Sequence, residues 1–246
     1  MITICFTYFR SLTLANLAAS LYSVRRQDLS QVREIVLVDN NTDDQIEAVQ
    51  DVVDRLEFPV PVLVQSVKHG DPTRTHSWST NLAIRQATAS WIFMTRADYL
   101  LDFDVVKRFT EAVAQGDSFV TSNGCHLGEG IAECERSDWR QHGPRFSGIT
   151  FDYTSIDSGV WMAKKEVIDA VGGLNEGLTL WGHAQTEFQH RLHASGVRFV
   201  RIPEVLFWHP AHGGEKDLEL ANMQLALAGI DLRECWARYH GTSPYA

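Results

Sequence analysis

Apolar residues fall in short runs separated by amphipathic stretches, and the two alternate through the first hundred positions. Residues 2–8, ITICFTY, are continuously β-branched and aromatic rather than alternating, the pattern of a strand buried on both faces. Ser11 is placed to cap a helix in which Leu12, Leu14, Leu17, Leu21 and Val24 fall near helical spacing. Residues 34–38, EIVLV, make a second buried strand that ends at Asp39-Asn40-Asn41. A helix over about 43–56 and a strand over 60–66 follow. This β-α-β-α-β order predicts a parallel sheet with right-handed crossovers, the architecture of a Rossmann-like nucleotide-binding half.

A loop rich in Gly, Pro and polar residues, 69–76, and a helix over 77–86 lead into the stretch around which the rest is organised. Residues 91–95, WIFMT, form a central strand that stops abruptly at Arg96-Ala97-Asp98. A carboxylate at the carboxyl end of a buried parallel strand stands where open α/β sheets place ligand chemistry. Apolar character resumes over 99–103, and Asp104 is placed to cap a helix over 105–114. Residues 118–122 read as a strand, whereas 124–148 are polar, glycine-rich and irregular, as in a lid or an acceptor loop. Strand-like 158–164 precedes a short helix, 165–171, ended by Gly172-Gly173. A helix over 184–194 carries Phe188 and Leu192 on one face and a Glu187–Arg191 pair. Late strands over 197–202 and 205–208 and a surface helix over 215–237 complete the pattern. No repeat, low-complexity tract or linker interrupts it. The expectation is one α/β domain with a mostly parallel sheet: a nucleotide-binding half (1–115), an acceptor-binding half (116–214) and a helical tail (215–246).

Composition narrows the class. With 246 residues the chain is long enough to bury a full core, and an apolar share of 44% is that of an ordinary globular protein. No apolar run approaches the roughly 18 to 20 residues that span a bilayer, and residues 1–9 lack the basic start of a secretion signal. Four cysteines without a CxxC pair read as reduced thiols; the expected location is cytoplasmic. A formal net charge of −9 argues against a general nucleic-acid binder, which needs a basic face.

The turn after the first strand, TYFRSLTL, contains no glycine, so a dinucleotide fingerprint is excluded, and no P-loop is present. Phosphate must therefore be held by side chains or by a metal. That directs attention to the strand-end carboxylates Asp39 and Asp98, the latter facing a nucleotide diphosphate through a divalent cation.

Six segments, ITICFTYFR, EIVLVDNNTDD, NLAI at 81–84, WIFMTRAD, SGVWMAKKEVIDAVGGLNEG and WGHAQTEFQHRL, carry a resemblance in their order and spacing over most of residues 1–209. Together they resemble the family 2 type of nucleotide-sugar-dependent glycosyltransferase with the GT-A fold. The resemblance implies that Thr7, Tyr8 and Arg10 contact the nucleotide. It implies that Asp39 reads the base, typically uracil, whose imide N–H a carboxylate accepts. Arg74, Arg96 and Ala97 belong to the same donor site. Asp98 corresponds to the last carboxylate of the family's DxD, which binds Mn²⁺ or Mg²⁺ on the diphosphate, with His209 approaching the metal and His212 in reserve. Trp181 and Gly182 are implied on the acceptor side.

Two positions depart from that pattern. The first acidic residue of the DxD is Arg96, which can assist the metal or make it dispensable. An acidic pair, the second member normally the general base of inverting enzymes, is replaced by Ala184-Gln185. Gln185 takes no proton at neutral pH, so His183, Asp157 and Glu187 become the substitute bases. A retaining transfer, in which the leaving phosphate accepts the proton, is the other route. The reading is a glycosyltransferase using a nucleotide diphosphate sugar, uridine-linked, on a glycan or small-molecule acceptor. Its alternatives are a catalytically impaired nucleotide-sugar-binding protein and a nucleotidyltransferase.

Overall fold

Strand β1 (Ile2–Phe9) is buried along its whole length, and it lies in the middle of the parallel part of the sheet. The computed structural model describes residues 1–9, 12–40, 46–67, 76–114, 116, 118–127, 159–177 and 184–210. Along the chain follow α1 (Leu14–Arg25), β2 (Val32–Asn40), α2 (Ile46–Leu56), β3 (Val62–Ser66), α3 (His76–Gln86), β4 (Trp91–Arg96), the short β5 (Leu100–Leu101) and α4 (Val105–Val113). Then come β6 (Ser118–Leu127), β7 (Trp161–Lys164), α5 (Lys165–Ala170), α6 (Ala184–Ala194) and β8 (Arg198–Pro210). The expected 215–237 helix and the 128–148 part of the expected irregular stretch lie outside the described residues.

The strands join in one eight-stranded sheet of order β3-β2-β1-β4-β7-β6-β8-β5. Its first four strands are all parallel, as the alternation of strands and helices requires. Beyond β4 the sheet is mixed: β7 runs antiparallel to both β4 and β6, β8 runs parallel to β6, and β5 returns antiparallel to β8. Successive side chains of β1 point to opposite faces. Ile4, Phe6 and Tyr8 join a core with Leu17, Leu21, Phe93 and Phe109 on one side. Cys5 joins Val36, Met94, Trp161 and Phe188 on the other. This two-sided burial is why the run ITICFTY shows no polar alternation. Among the described residues no helix is long and apolar enough to cross a membrane.

Four local expectations are corrected. The α1 cap is Thr13: its hydroxyl accepts from Asn16 N at 3.3 Å, and its own N–H donates to Asn16 Oδ1 at 3.0 Å, a reciprocal cap. Asp104 stands at the start of α4 but is left-handed (φ 60°) and makes no side-chain cap bond. Gln27 supplies the cap from a distance, its Oε1 accepting from Val106 N at 3.3 Å while its Nε2 donates to Ser23 O and Asp102 O. The two late strands are one, because β8 runs through Pro203-Glu204. Its register with β6 shifts on either side of Asn123, and such bulges let a strand pass a proline without losing its partner. The same pairing extends β6 past Ser122 into the stretch read as irregular.

Candidate active site

The end of β1 brings the two carboxylates to the same edge of the sheet. Tyr8 is in register with Asp39 of β2, and Thr7 with Arg96 of β4. Ala97 N donates to Thr7 O at 3.0 Å, which fixes the chain as it leaves β4. Asp39 is 4% exposed. Ser66, at the end of β3, donates its hydroxyl to Asp39 Oδ2 at 3.0 Å, and Val67 N donates to Asp39 O at 2.9 Å.

Asp98 is fully buried and does not stand alone. Arg96 Nη2 lies 3.0 Å from its Oδ2, and His209 Nε2 approaches the same oxygen at 3.4 Å. The Arg96 guanidinium also donates to the Tyr99 hydroxyl. It sits 4.4 Å from the centre of the Tyr99 ring and 5.7 Å from that of Phe9. Two glycines make room for this box. A Cβ on Gly159 would lie 2.6 Å from Tyr99 Cε2 and 2.9 Å from Arg96 Nε. One on Gly124 would lie 2.1 Å from Phe207 Cζ, and the Phe207 ring packs edge-on against Tyr99 at 4.8 Å.

Asp98 and His209 thus converge as the resemblance implies, but the residues present do not fit a divalent ion as they stand. A doubly charged cation at Oδ2 has either to displace a packed guanidinium or to share one carboxylate with it, and like charges at such range repel strongly in a buried site. Among the described residues no group of three or more His, Cys, Asp or Glu side chains is arranged to hold a metal.

A second cluster lies behind Phe9. Trp161 Nε1 donates to Gln185 Oε1 at 3.1 Å, and Gln185 Nε2 lies 3.3 Å from His76 Nε2. An indole N–H only donates, so the Gln185 carbonyl oxygen must face it and the amide NH₂ must face His76. The His76 Nε2 therefore carries the lone pair and its proton sits on Nδ1. His76 stands edge-on to Phe9 at 5.5 Å. Burial pushes its pKa down to about 3, the Arg96 charge adds to that effect, and Asp98 opposes it. The imidazole is neutral.

Several expected site residues have other roles. Tyr8 is a core side chain whose hydroxyl donates to Leu12 O at 3.3 Å. Thr7 and Ala97 are fully buried, and their backbones join β1 to the end of β4 through the bond from Ala97 N to Thr7 O. Gln185 is on the site side of α6, where its amide is committed to Trp161 and His76. Glu187, two residues on, lies roughly 200° around the helix and is gripped by Arg191 at 2.6 and 2.8 Å. Arg191 also donates to Val171 O and Gly173 O, so Glu187 anchors the α5–α6 connection and is no substitute base. Arg10, Arg74, Asp157, Trp181, Gly182 and His183 lie outside the described residues. His76 was missed from sequence because it closes a polar loop without periodicity. Tyr99 could have been suspected, because it directly follows the Asp98 carboxylate.

The sequence matches the glycosyl transferase family 2 profile over residues 3–169. It matches a second profile, the N-terminal domain of galactosyltransferase, over 140–212. No curated protein matches it in sequence. Among solved structures it resembles S. aureus TarS, with a TM-score of 0.66 at 12% identity over 99% of this chain and 44% of that one. The 1–349 form of TarS in complex with UDP gives 0.66 at 12% identity, and its UDP-GlcNAc complex 0.67 at 14%. These cover 99% of this chain and 73% and 74% of those chains. At such identities the likeness shows the fold, which is GT-A, and this chain spans less than half of full TarS.

Proposed function

Because the chain belongs to glycosyl transferase family 2, we propose that it transfers a sugar from a nucleoside diphosphate donor to an acceptor hydroxyl. The observation that carries this reading is the pair of buried carboxylates at the carboxyl ends of the strands flanking β1, Asp39 in β2 and Asp98 just past β4. A ligand laid across the ends of β2, β1 and β4 meets Asp39 first and the charged Asp98 centre second, the order of base and diphosphate along a nucleotide. The Asp39 carboxylate can accept the imide N–H of uracil, which adenine does not present in the same way, offering an exocyclic amino group instead. The structures of TarS with UDP and UDP-GlcNAc support a uridine donor and make an N-acetylhexosamine the first sugar to try. Divalent metal at Asp98 and His209, as the family resemblance implies, is replaced in this reading by the charge already present.

Calorimetric titration with UDP and with adenosine diphosphate tests it. Uridine-selective binding, lost in Asp39→Ala, is the expected result; equal affinity for both nucleotides would remove Asp39 from base recognition. Turnover is read by incubating a UDP-sugar with candidate acceptors and measuring released UDP.

The captive Gln185 favours a second reading, a nucleotide-sugar-binding protein without transfer. Its Oε1 and Nε2 are both occupied within the fold, so it accepts no acceptor proton. The two readings separate on wild-type protein, since sustained UDP release from donor plus acceptor belongs to the enzyme alone. Release that appears only in Gln185→Glu would establish that the lost carboxylate is what silences the chain.

A further inference from the structure

We infer that Arg96 is the resident cation of the donor site, supplying in cis the positive charge that a divalent ion would bring, so that diphosphate binding needs no metal. The inference rests on the donor reading for its ligand, but its structural basis is independent of that reading. The guanidinium is tied to the one carboxylate a metal would use, 3.0 Å from Asp98 Oδ2. It is held in place by Tyr99 from below and by Phe9. The fold has left out a side chain at Gly159 where a Cβ would strike both Arg96 and Tyr99. A loop arginine with a merely solvated charge needs none of this. Arg96 keeps a tenth of its side-chain surface open, and in this inference a phosphate oxygen meets it there.

The chemistry suits the role. A guanidinium keeps its proton throughout the physiological range and offers a planar fork matched to phosphate oxygens. Asp98 then orients and charge-balances the arginine instead of ligating an ion. The exchange also has a cost: carboxylate plus guanidinium is neutral, whereas carboxylate plus a divalent ion is positive, so the hold on the diphosphate comes from the fork's hydrogen bonds and local charge rather than from net site charge.

UDP is titrated into the wild-type chain in excess EDTA and again with Mn²⁺. The expected result is affinities that agree within about twofold. Arg96→Lys, which keeps the charge and loses the fork, weakens UDP by about tenfold in both buffers and leaves uridine unchanged. A wild-type affinity that falls tenfold or more in EDTA and returns with Mn²⁺ would overturn the inference, as would equal losses of UDP and uridine in Arg96→Lys. If UDP binds in neither buffer, the donor reading falls instead. Mn²⁺ alone, followed by electron paramagnetic resonance, then decides the cation question. One Mn²⁺ per chain that Asp98→Asn abolishes would show that Asp98 is a metal ligand after all; no bound Mn²⁺ would uphold a carboxylate closed by Arg96.

Discussion

The two strand-end carboxylates are built in opposite ways. Asp39 is assembled from consecutive parallel strands: β2 carries it, and β3, the next strand in sequence, reaches back with one hydroxyl. Asp98 is assembled across the whole sheet. Its own connection supplies Arg96 and Tyr99, β1 supplies Phe9, the approach to β7 supplies Gly159, and β8 supplies His209. The first is a local device and yields gently to change. The second is a mutually dependent cluster in which each member holds another in place.

The sharpest way to break the comparison is to remove the cation. Arg96→Ala leaves Asp98 buried and uncompensated, and loss of one partner from a buried pair typically costs about 3–5 kcal/mol. The expected outcome is a fall of that size in urea-unfolding stability, largely recovered in Arg96→Met/Asp98→Asn, which removes both charges. A loss below about 1 kcal/mol would show that Arg96 and Asp98 are screened by solvent and that the cluster is no more interlocked than Asp39.

That contrast also sets what the sequence disclosed. Asp39 and Asp98 were legible because each ends an unbroken apolar run, and strand ends are where such sheets expose polar groups. The parallel half was legible for the same reason: its order follows from strand-helix alternation. The resemblance brought His209 to Asp98 and Tyr99 is near Arg96 in sequence, but the room left at Gly159 was not legible, because that residue comes from a distant segment and reaches Arg96 only through the mixed part of the sheet. Gln185 was identified as a departure. Its capture by Trp161 and His76 depends on α6 packing against β7 and the start of α3, which no local pattern encodes. Tyr8 misled because a residue at the end of a buried strand alternates between core and crevice, and Tyr8 takes the core side.

Gly159→Ala sharpens the comparison from the packing side. The added methyl would overlap Tyr99 and Arg96, and overpacking of this kind costs roughly 1–3 kcal/mol. Because the methyl pushes directly on the guanidinium, UDP affinity falls along with stability. A variant that loses stability and keeps full UDP affinity would separate the box from the binding role of Arg96.

His76 extends the contrast to pH. Its folded pKa of about 3 lies below the ordinary 6.5, so the unfolded chain binds a proton that the folded chain refuses. The stabilising neutral form is retained at no cost above pH 6.5, and stability falls as pH drops from 6.5 toward 3, by up to ~1.4 kcal/mol per pH unit. Between pH 6.5 and 5, above the range of most carboxylates, the loss from this one group approaches about 2 kcal/mol. His76→Gln, which keeps a polar side chain without a titrating ring, flattens that part of the stability–pH curve. An unchanged slope would assign the effect to other histidines.

The smallest effect belongs to the local site. Ser66→Ala removes the Ser66 hydroxyl from Asp39 Oδ2. A hydrogen bond to a charged acceptor contributes about 1.5–3 kcal/mol, and because Ser66 itself is half-buried, so that water can reach the lost donor's place, the stability loss falls at or below about 1.5 kcal/mol. The effect on ligands should be selective. A carboxylate freed from Ser66 still accepts the uracil imide but no longer presents a fixed oxygen to it, so uridine and UDP weaken by the same factor, on the order of two- to fivefold. That equality distinguishes the two sites: change at Asp39 acts on the base and is passed unchanged to the diphosphate, whereas change at Arg96 acts on the diphosphate alone. If Ser66→Ala weakened UDP and left uridine untouched, the carboxylate at β2 would be reading phosphate, and the assignment of the two strand ends would have to be exchanged.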